Sequence, residues 1–315
     1  MQSDHLYRQL RVALVIPCYN EAGTIGAVID GFHSAMPGIG ITVFDNGSID
    51  NTADVARAKG VDVVHVAVKG KGNVVRRMFA DIDADVYVMV DGDLTYDPAS
   101  MKSMIDKLID DKLDMVVGCR QTPSETIRTA YRRGHQWGNR VLTESVCRIF
   151  GGSFMDMLSG YRVLSRRFVK SFPVLSDGFG IETELTIHAL ELKMPVGEVI
   201  TPYGARPEGS VSKLSTYRDG WGILMTILRL YMLERPLQFY GLIGAVLALT
   251  SIGLSLPILI EFLNSGLVPR LPTAVLCASM MLLAAMSLQC GMILDSVARG
   301  RKETKRLFYL FAPKK

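Results

Sequence analysis

Cysteine and excess charge are both scarce in this chain, and each scarcity excludes something. The five cysteines (Cys18, Cys119, Cys147, Cys277 and Cys290) are scattered, without C-x-x-C spacing or a paired histidine set. That speaks against a disulfide scaffold or a zinc site and fits reduced thiols on a cytosolic face. With 35 Lys and Arg against 31 Asp and Glu, the formal net charge is only +4, so nucleic acid is not the expected partner. The stretch from Met1 to Arg11 is polar and has no apolar signal core, so no cleaved export signal is visible. No G-x-x-x-x-G-K-[ST] string occurs, which removes a P-loop. No G-x-G-x-x-G follows the first strand, which weighs against a dinucleotide fold.

What the chain does have is apolar bulk in two styles. Of 315 residues 49% are hydrophobic and 21% charged, with a mean hydropathy of +0.23. That balance suits a soluble domain joined to something greasier, about one to three domains in all. The soluble part centres on Val86-Tyr87-Val88-Met89-Val90, an unbroken run that reads as a strand buried on both faces of a parallel sheet. It stops in Asp91-Gly92-Asp93. Ligands of open α/β sheets bind at the carboxyl ends of strands, so chemistry is expected here. Two close carboxylates are costly without a cation, and hard oxygens suit Mg²⁺ or Mn²⁺ bridging a diphosphate. An ordinary acidic turn has the same composition.

Around this strand the pattern alternates. Val12–Pro17, Ile41–Phe44 and Val61–Val68 read as strands, with helices starting near Thr24, Ser48–Thr52 and Lys69–Asn73. Such alternation means parallel β-α-β units and an α/β, doubly wound, mostly parallel sheet. Tyr19 to Glu21, Asp45 to Ser48, and Asp91 to Asp93 then line one crevice. The backbone after Pro17 can pack a base, and Asp45 can accept hydrogen bonds from a base or ribose. Lys71, between two glycines at a helix start, suits an anion, although a plain surface turn has the same composition.

Val15-Ile-Pro-Cys-Tyr-Asn-Glu21, Asp45-Asn-Gly-Ser-Ile-Asp50, Gly70-Lys-Gly72 and Asp91-Gly-Asp93 follow one another over the first hundred residues. In that order they resemble the nucleotide-sugar domain of family 2 inverting glycosyltransferases, the GT-A fold. The resemblance implies nucleotide-sugar binding by Pro17, Tyr19, Glu21, Asp45, Lys71 and Asp91, and a Mg²⁺ or Mn²⁺ ion on Asp93. Asn46 stands where the family usually repeats an Asp. Thr95 stands where dolichyl-phosphate mannose synthases often have Gln near the metal, and so becomes the second expected ligand.

Met115–Arg120 reads as a further strand, followed by the basic segment Arg128, Arg132, Arg133, His135 and Arg140. Such a run is ordinarily solvated. A polyprenyl-phosphate transferase needs arginines for two phosphates, and by resemblance Arg120 and Arg133 take that part, with Asp91, Asp93 and Arg120 forming the catalytic set. Asp156-Met-Leu-Ser-Gly-Tyr-Arg162 and Gly178-Phe-Gly-Ile-Glu-Thr-Glu184 resemble acceptor-side segments of the family. Asp156 is placed on the sugar, whereas Glu182 and Glu184 fit a helix start for structural reasons as well as functional ones. His188 has no metal partner and reads as a packed side chain. Arg206-Pro-Glu-Gly-Ser-Val-Ser-Lys213 resembles the R-x-x-G-x-S-K loop of polyprenyl-phosphate transferases with one extra residue. Arg206, Ser212 and Lys213 are thereby assigned to the lipid phosphate and the loop to a lid.

Phe239–Ile260 and Pro272–Leu294 are each long enough to span about 30 Å of hydrocarbon. The basic cluster Arg299 to Arg306 after the second run is a positive-inside signal. It puts the tail and the catalytic domain on the cytoplasmic side of an inner membrane. Tyr217–Arg235 is amphipathic and reads as an interface helix. The expected domains are therefore 1–215 catalytic, 216–236 interface helix, 237–298 two-helix transmembrane region and 299–315 basic tail. Together these features imply inverting transfer of a hexose from a UDP- or GDP-sugar to a membrane polyprenyl phosphate, toward a cell-envelope glycan. A homo-oligomer is left open. The alternatives are a processive polysaccharide synthase, disfavoured by two spans and no Q-x-x-R-W string, and a non-catalytic scaffold with a degenerate fold.

Overall fold

A computed structural model describes residues 6–121, 135–176, 178, 180–206 and 216–313. They divide into two compact units, residues 1–227 with 305–315, and residues 228–304.

In the first unit the strands are β1 (Leu6–Tyr7), β2 (Leu10–Cys18), β3 (Gly40–Asp45), β4 (Asp62–His65), β5 (Val86–Met89), β6 (Met115–Gln121), β7 (Arg162–Ser165) and β8 (Val196–Pro202). Between them lie α1 (Ile25–Ala35), α2 (Thr52–Ala58), α3 (Lys71–Asp81), α4 (Ser100–Asp110), α5 (His135–Phe150), α6 (Arg166–Ser171) and α7 (Ile181–Leu192). The sheet order is β4-β3-β2-β5-β7-β6-β8, with β1 beside β2. The chain winds outward from β2 through β3 to β4, then crosses to β5 on the other side. The switch point between β2 and β5 opens a crevice at the carboxyl edge, where α/β sheets bind ligands.

The sheet is parallel through β4, β3, β2 and β5, as the alternating pattern requires. β7 departs from it, running antiparallel to both β5 and β6. Four residues framed by a polar loop and a basic helix carry no periodic signal of direction. The central run behaves as read: Val86 to Val90 are all buried. α1 buries Ile25, Val28, Ile29 and Phe32, one face of a helix by their spacing, at roughly 1.5–3 kcal/mol for each large side chain.

His188 is packed, as its place in the sequence suggested. Its ring lies 5.3 Å from Phe168 and 5.1 Å from Phe172, centroid to centroid, with Nε2 3.1 Å from Ser171 Oγ. α8 (Thr216–Glu234) divides its apolar residues. Ile223, Ile227 and Leu230 are buried, while Trp221, Leu224, Met225 and Leu228 are exposed. The stripe expected to face lipid as a whole is thus split between two sides of the helix.

The second unit is built from α9 (Pro236–Ser265) and α10 (Leu271–Phe311), 30 and 41 residues long and apolar enough to cross a membrane. Both exceed the apolar runs legible in the sequence, and only residues 266–270 connect them. Small residues let the two helices approach. A Cβ on Gly244 would stand 2.9 Å from the Ala284 carbonyl oxygen, and Ser251 Oγ donates to the Cys277 carbonyl at 2.8 Å. The segment expected as a tail from 299 onward is helical as far as Phe311. Its end belongs to the first unit: Tyr309 donates its hydroxyl to buried Asp114 at 2.6 Å, beneath Arg167.

Burial, reinforced by the charge of Lys305, pushes the His188 pKa down to about 3. The unfolded chain therefore binds a proton near pH 6.5 that the folded chain refuses, and stability present above that pH is lost as pH falls. The expected outcome is a melting temperature that drops between pH 7 and pH 5, with a shallower drop in His188→Met. Equal slopes in the two proteins would contradict it.

Candidate active site

The carboxyl end of β5 carries the acids. Gly92 is needed there because a Cβ would lie 2.7 Å from Cys18 Sγ at the end of β2. Its carbonyl accepts from Thr24 Oγ1 at 2.7 Å, tying the turn to the start of α1. Leu94 adopts φ +61°, a left-handed conformation costing about 1–2 kcal/mol for a branched side chain. This turn brings Thr95 back onto Asp93: its N–H and hydroxyl reach Oδ1 at 3.3 and 2.5 Å.

Each acid meets a cation from another segment. Lys71, the first residue of α3, places Nζ 2.5 Å from Asp91 Oδ1 and 2.5 Å from Glu182 Oε1 on α7. Burial opposes this ammonium charge, and the two carboxylates outweigh it and raise the Lys71 pKa. Arg206 donates Nε and Nη2 to Asp93 Oδ2 at 3.0 and 2.6 Å. Arg120 grips Asp156 through Nε–Oδ2 at 2.6 Å and Nη2–Oδ1 at 2.7 Å, and Asn139 adds a bond of 2.9 Å. Burial works against the Asp156 charge, but Arg120 and Asn139 hold its carboxyl below the usual range. Gly160 packs against Asp91, where a Cβ would overlap the carboxylate, and its N–H donates to Tyr96 Oη at 2.9 Å.

The opposite wall is formed by the ends of β2 and β3, where Cys18 pairs in register with Asp45 and Pro17 with Phe44. Asp45 is buried, accepts from the Ser48 N–H at 3.2 Å and lies 3.3 Å from His65 Nδ1. Tyr19 is partly exposed, with the Lys69 ammonium 5.6 Å from its ring centre. The Glu21 backbone is fixed by its N–H to Thr52 Oγ1 at 2.8 Å. Asn46, set apart in the sequence as a departure, has a specific task. Its amide donates to the carbonyls of Val66 and Val68 at 3.1 and 2.8 Å, and its oxygen accepts from the Gly70 N–H at 2.7 Å. An aspartate has no N–H to give those carbonyls. Asn46 thereby holds the loop that leads from β4 to Lys71.

Of the residues singled out from the sequence, Pro17, Tyr19, Glu21, Asp45, Asp91, Asp93 and Thr95 lie along the carboxyl ends of β2, β3 and β5. Lys71 joins them through Asp91 and Arg206 through Asp93, while Arg120 and Asp156 hold each other. Arg133, Ser212 and Lys213 lie outside the described residues. Glu182, left undecided between structure and function, is a partner of Lys71. Glu184 is a loop anchor, accepting from the N–H groups of Leu175 and Ser176 at 2.7 Å each. Glu198 escaped notice altogether; its Oε1 accepts from the Met155 N–H at 2.8 Å, ahead of Asp156. An acidic residue in a short β-strand gives no sign of the loop it will hold.

Asp93 and Thr95 supply hard oxygens suited to Mg²⁺ or Mn²⁺, and the guanidinium on Asp93 shows that a cation is stabilised there. Among the described residues no cluster of three or more His, Cys, Asp or Glu forms a metal cage. Such an ion would therefore take its remaining ligands from a diphosphate and water, as Mg²⁺ commonly does.

A mixed sheet of this order, with an aspartate pair at the tip of the strand beside the switch point, is a glycosyltransferase domain of GT-A type. The pattern of glycosyl transferase family 2 matches residues 13–172, and the chain belongs to that family of enzymes. It is 32% identical over 303 residues to glycosyltransferase AglJ of Haloferax volcanii, covering 94% of this chain and 97% of the relative. A dolichyl-phosphate hexose transferase of the same organism is 27% identical, over 71% of this chain and 95% of its own. Glucosyl-3-phosphoglycerate synthase from Mycobacterium tuberculosis, solved with Mn²⁺, UDP and glucosyl-3-phosphoglycerate, superposes with a TM-score of 0.55 at 25% identity. That match covers 68% of this chain and 78% of the other.

Asn46→Asp sets a carboxylate against two carbonyls at a cost of about 2 kcal/mol. The expected result is a lower melting temperature together with weaker nucleotide-diphosphate binding by calorimetry, because Lys71 loses its support. Unchanged affinity would remove Asn46 from this role.

Proposed function

We propose that this glycosyltransferase moves a hexose from a UDP- or GDP-sugar to a polyprenyl phosphate in the inner membrane, with inversion at the anomeric carbon. The observation that carries the reading is the state of the acids: Asp91, Asp93 and Asp156 are each engaged by Lys71, Arg206 or Arg120. A carboxylate tied to a cation is a poor general base, so a sugar hydroxyl acceptor would lack the help it needs. A phosphate monoester is already ionised near pH 7, its second pKa being about 6. It needs positioning and charge neutralisation instead, which arginines provide.

In this reading Pro17, Tyr19, Glu21 and Asp45 hold the nucleoside, and Asp91 with Lys71 fixes the donor near its sugar. Asp156 orients Arg120 from below. Arg120 and Arg206, with Arg133, Ser212 and Lys213, bind the acceptor phosphate. A Mg²⁺ or Mn²⁺ ion on Asp93 and Thr95 would draw charge from the departing diphosphate. Membrane attachment by α9 and α10, with Trp221, Leu224 and Leu228 of α8 suited to the interface, would fit an acceptor that is itself a membrane lipid. The basic residues Arg299 to Arg306 favour the cytoplasmic side for the catalytic domain. The relatives named for dolichyl-phosphate transfer support the acceptor class.

Membranes containing the chain, incubated with labelled nucleotide-sugars and Mg²⁺ or Mn²⁺, are expected to release label into an acid-labile polyprenyl lipid. Asp93→Asn and chelation by EDTA should each lower that transfer roughly 100-fold or more, with membrane insertion unchanged. Label appearing only in a polysaccharide, or passing to lipid from none of the nucleotide-sugars, would overturn the reading.

A further inference from the structure

Asp93 is saturated in this structure. An ionised carboxylate offers about four acceptor positions, and four donors fill them. The Thr95 N–H and hydroxyl occupy Oδ1, and Arg206 Nε and Nη2 occupy Oδ2. The Asp93 side chain is buried, so water gives it little further help. A divalent ion on Asp93 must therefore displace a donor, and a second positive charge beside a guanidinium is repelled strongly in a site of low dielectric. Thr95 is held two residues away along the same turn. Arg206 comes from a segment 113 residues distant and its side chain is partly exposed, so Arg206 is the group that leaves.

We propose that Arg206 is an exchangeable counter-ion of Asp93. It neutralises the acid until the metal arrives with the donor, gives way to that ion, and is thereby freed to bind the phosphate monoester of the acceptor. The proposal rests on the transfer reaction proposed above and adds an order to it. While Arg206 is held on Asp93 the acceptor-phosphate site is short of one of its cations, so the acceptor binds more tightly once the metal and donor are in place. The exchange also protects the donor, because the metal site is not open to a stray cation unless the diphosphate helps to pay for displacing the guanidinium.

Two measurements on the full-length protein in detergent test this without relying on turnover. The first titrates Mn²⁺ by electron paramagnetic resonance in the absence of nucleotide. Arg206→Gln is expected to bind Mn²⁺ roughly tenfold more tightly than the parent, the scale of one charge-assisted bond no longer competing. Equal or weaker affinity overturns the exchange. The second measures binding of farnesyl phosphate, a short isoprenyl phosphate, without metal or nucleotide. Asp93→Asn keeps the shape of the side chain but drops its charge. It is expected to bind farnesyl phosphate more tightly than the parent although it cannot transfer sugar, and the gain should vanish in the Asp93→Asn/Arg206→Gln double variant. A gain that survives in the double variant, or no gain in the single one, overturns the assignment of the freed guanidinium to the acceptor. If Asp93→Asn instead gains affinity only for UDP or GDP, the guanidinium serves the donor and the proposed order is wrong. Label reaching polyprenyl lipid alongside unchanged Mn²⁺ affinity would sink the exchange alone. Tighter Mn²⁺ binding with no transfer to any lipid would sink the reaction alone.

Discussion

Carboxylates gathered at the tip of a buried strand repel one another and resist leaving water, and everything around the crevice answers that cost. β5 is covered on both faces, and Asp93 at its end is buried with it. Charge balance comes from other parts of the chain: Lys71 from the start of α3, Arg120 from β6, and Arg206 from beyond β8. Removing one member of a pair of this kind strands the other, which is far costlier than losing a surface ion pair. The same pairs draw distant loops into one place. Glu182 brings the start of α7 to Lys71, and Asp156 brings the loop before β7 to Arg120. Arg162, fully buried, then secures that loop. Its guanidinium donates to the carbonyls of Ser159, Met157 and Glu182 and to Thr186 Oγ1 at 3.0 Å.

Charge-matched acids also fit the proposal that one crevice serves two anions. In the proposed reaction a nucleotide diphosphate and an acceptor phosphate both need cations, and Lys71, Arg120 and Arg206 are cations held on acids. Under that proposal, binding exchanges one anion for another at these cations. The two apolar helices are long enough to cross a membrane, and their small-residue contacts at Gly244 and Ser251 make them a closely packed pair.

Much of this could be read beforehand, for identifiable reasons. Val86 to Val90 announced a central strand because burial on both faces leaves no polar alternation, and Asp91 and Asp93 marked its end. α1 and α3 could be placed from their apolar spacing and the polar residues before them. The long apolar runs were legible by length alone, though not their true ends, since polar residues continue α10 to Phe311 without breaking it. Pairing was not legible. Nothing in Glu182, Asn46 or Glu198 distinguishes a site partner from a helix start, a turn or a strand, because each acts through residues remote in sequence. The direction of β7 was hidden for the same reason: a four-residue strand takes its orientation from neighbours. The apolar face of α8 looked uniform because periodicity reports that a side is greasy, not what covers it.

The most direct test is a structure of the protein with Mn²⁺ and a non-hydrolysable nucleotide-sugar, solved in a lipid nanodisc. The expected result is a nucleotide along the ends of β2, β3 and β5, with the metal on Asp93 and Arg206 moved off that carboxylate. A nucleotide bound elsewhere, or a metal bound while the Arg206–Asp93 pair remains closed, would contradict the view that the charge balance at the tip of β5 is the seat of the chemistry.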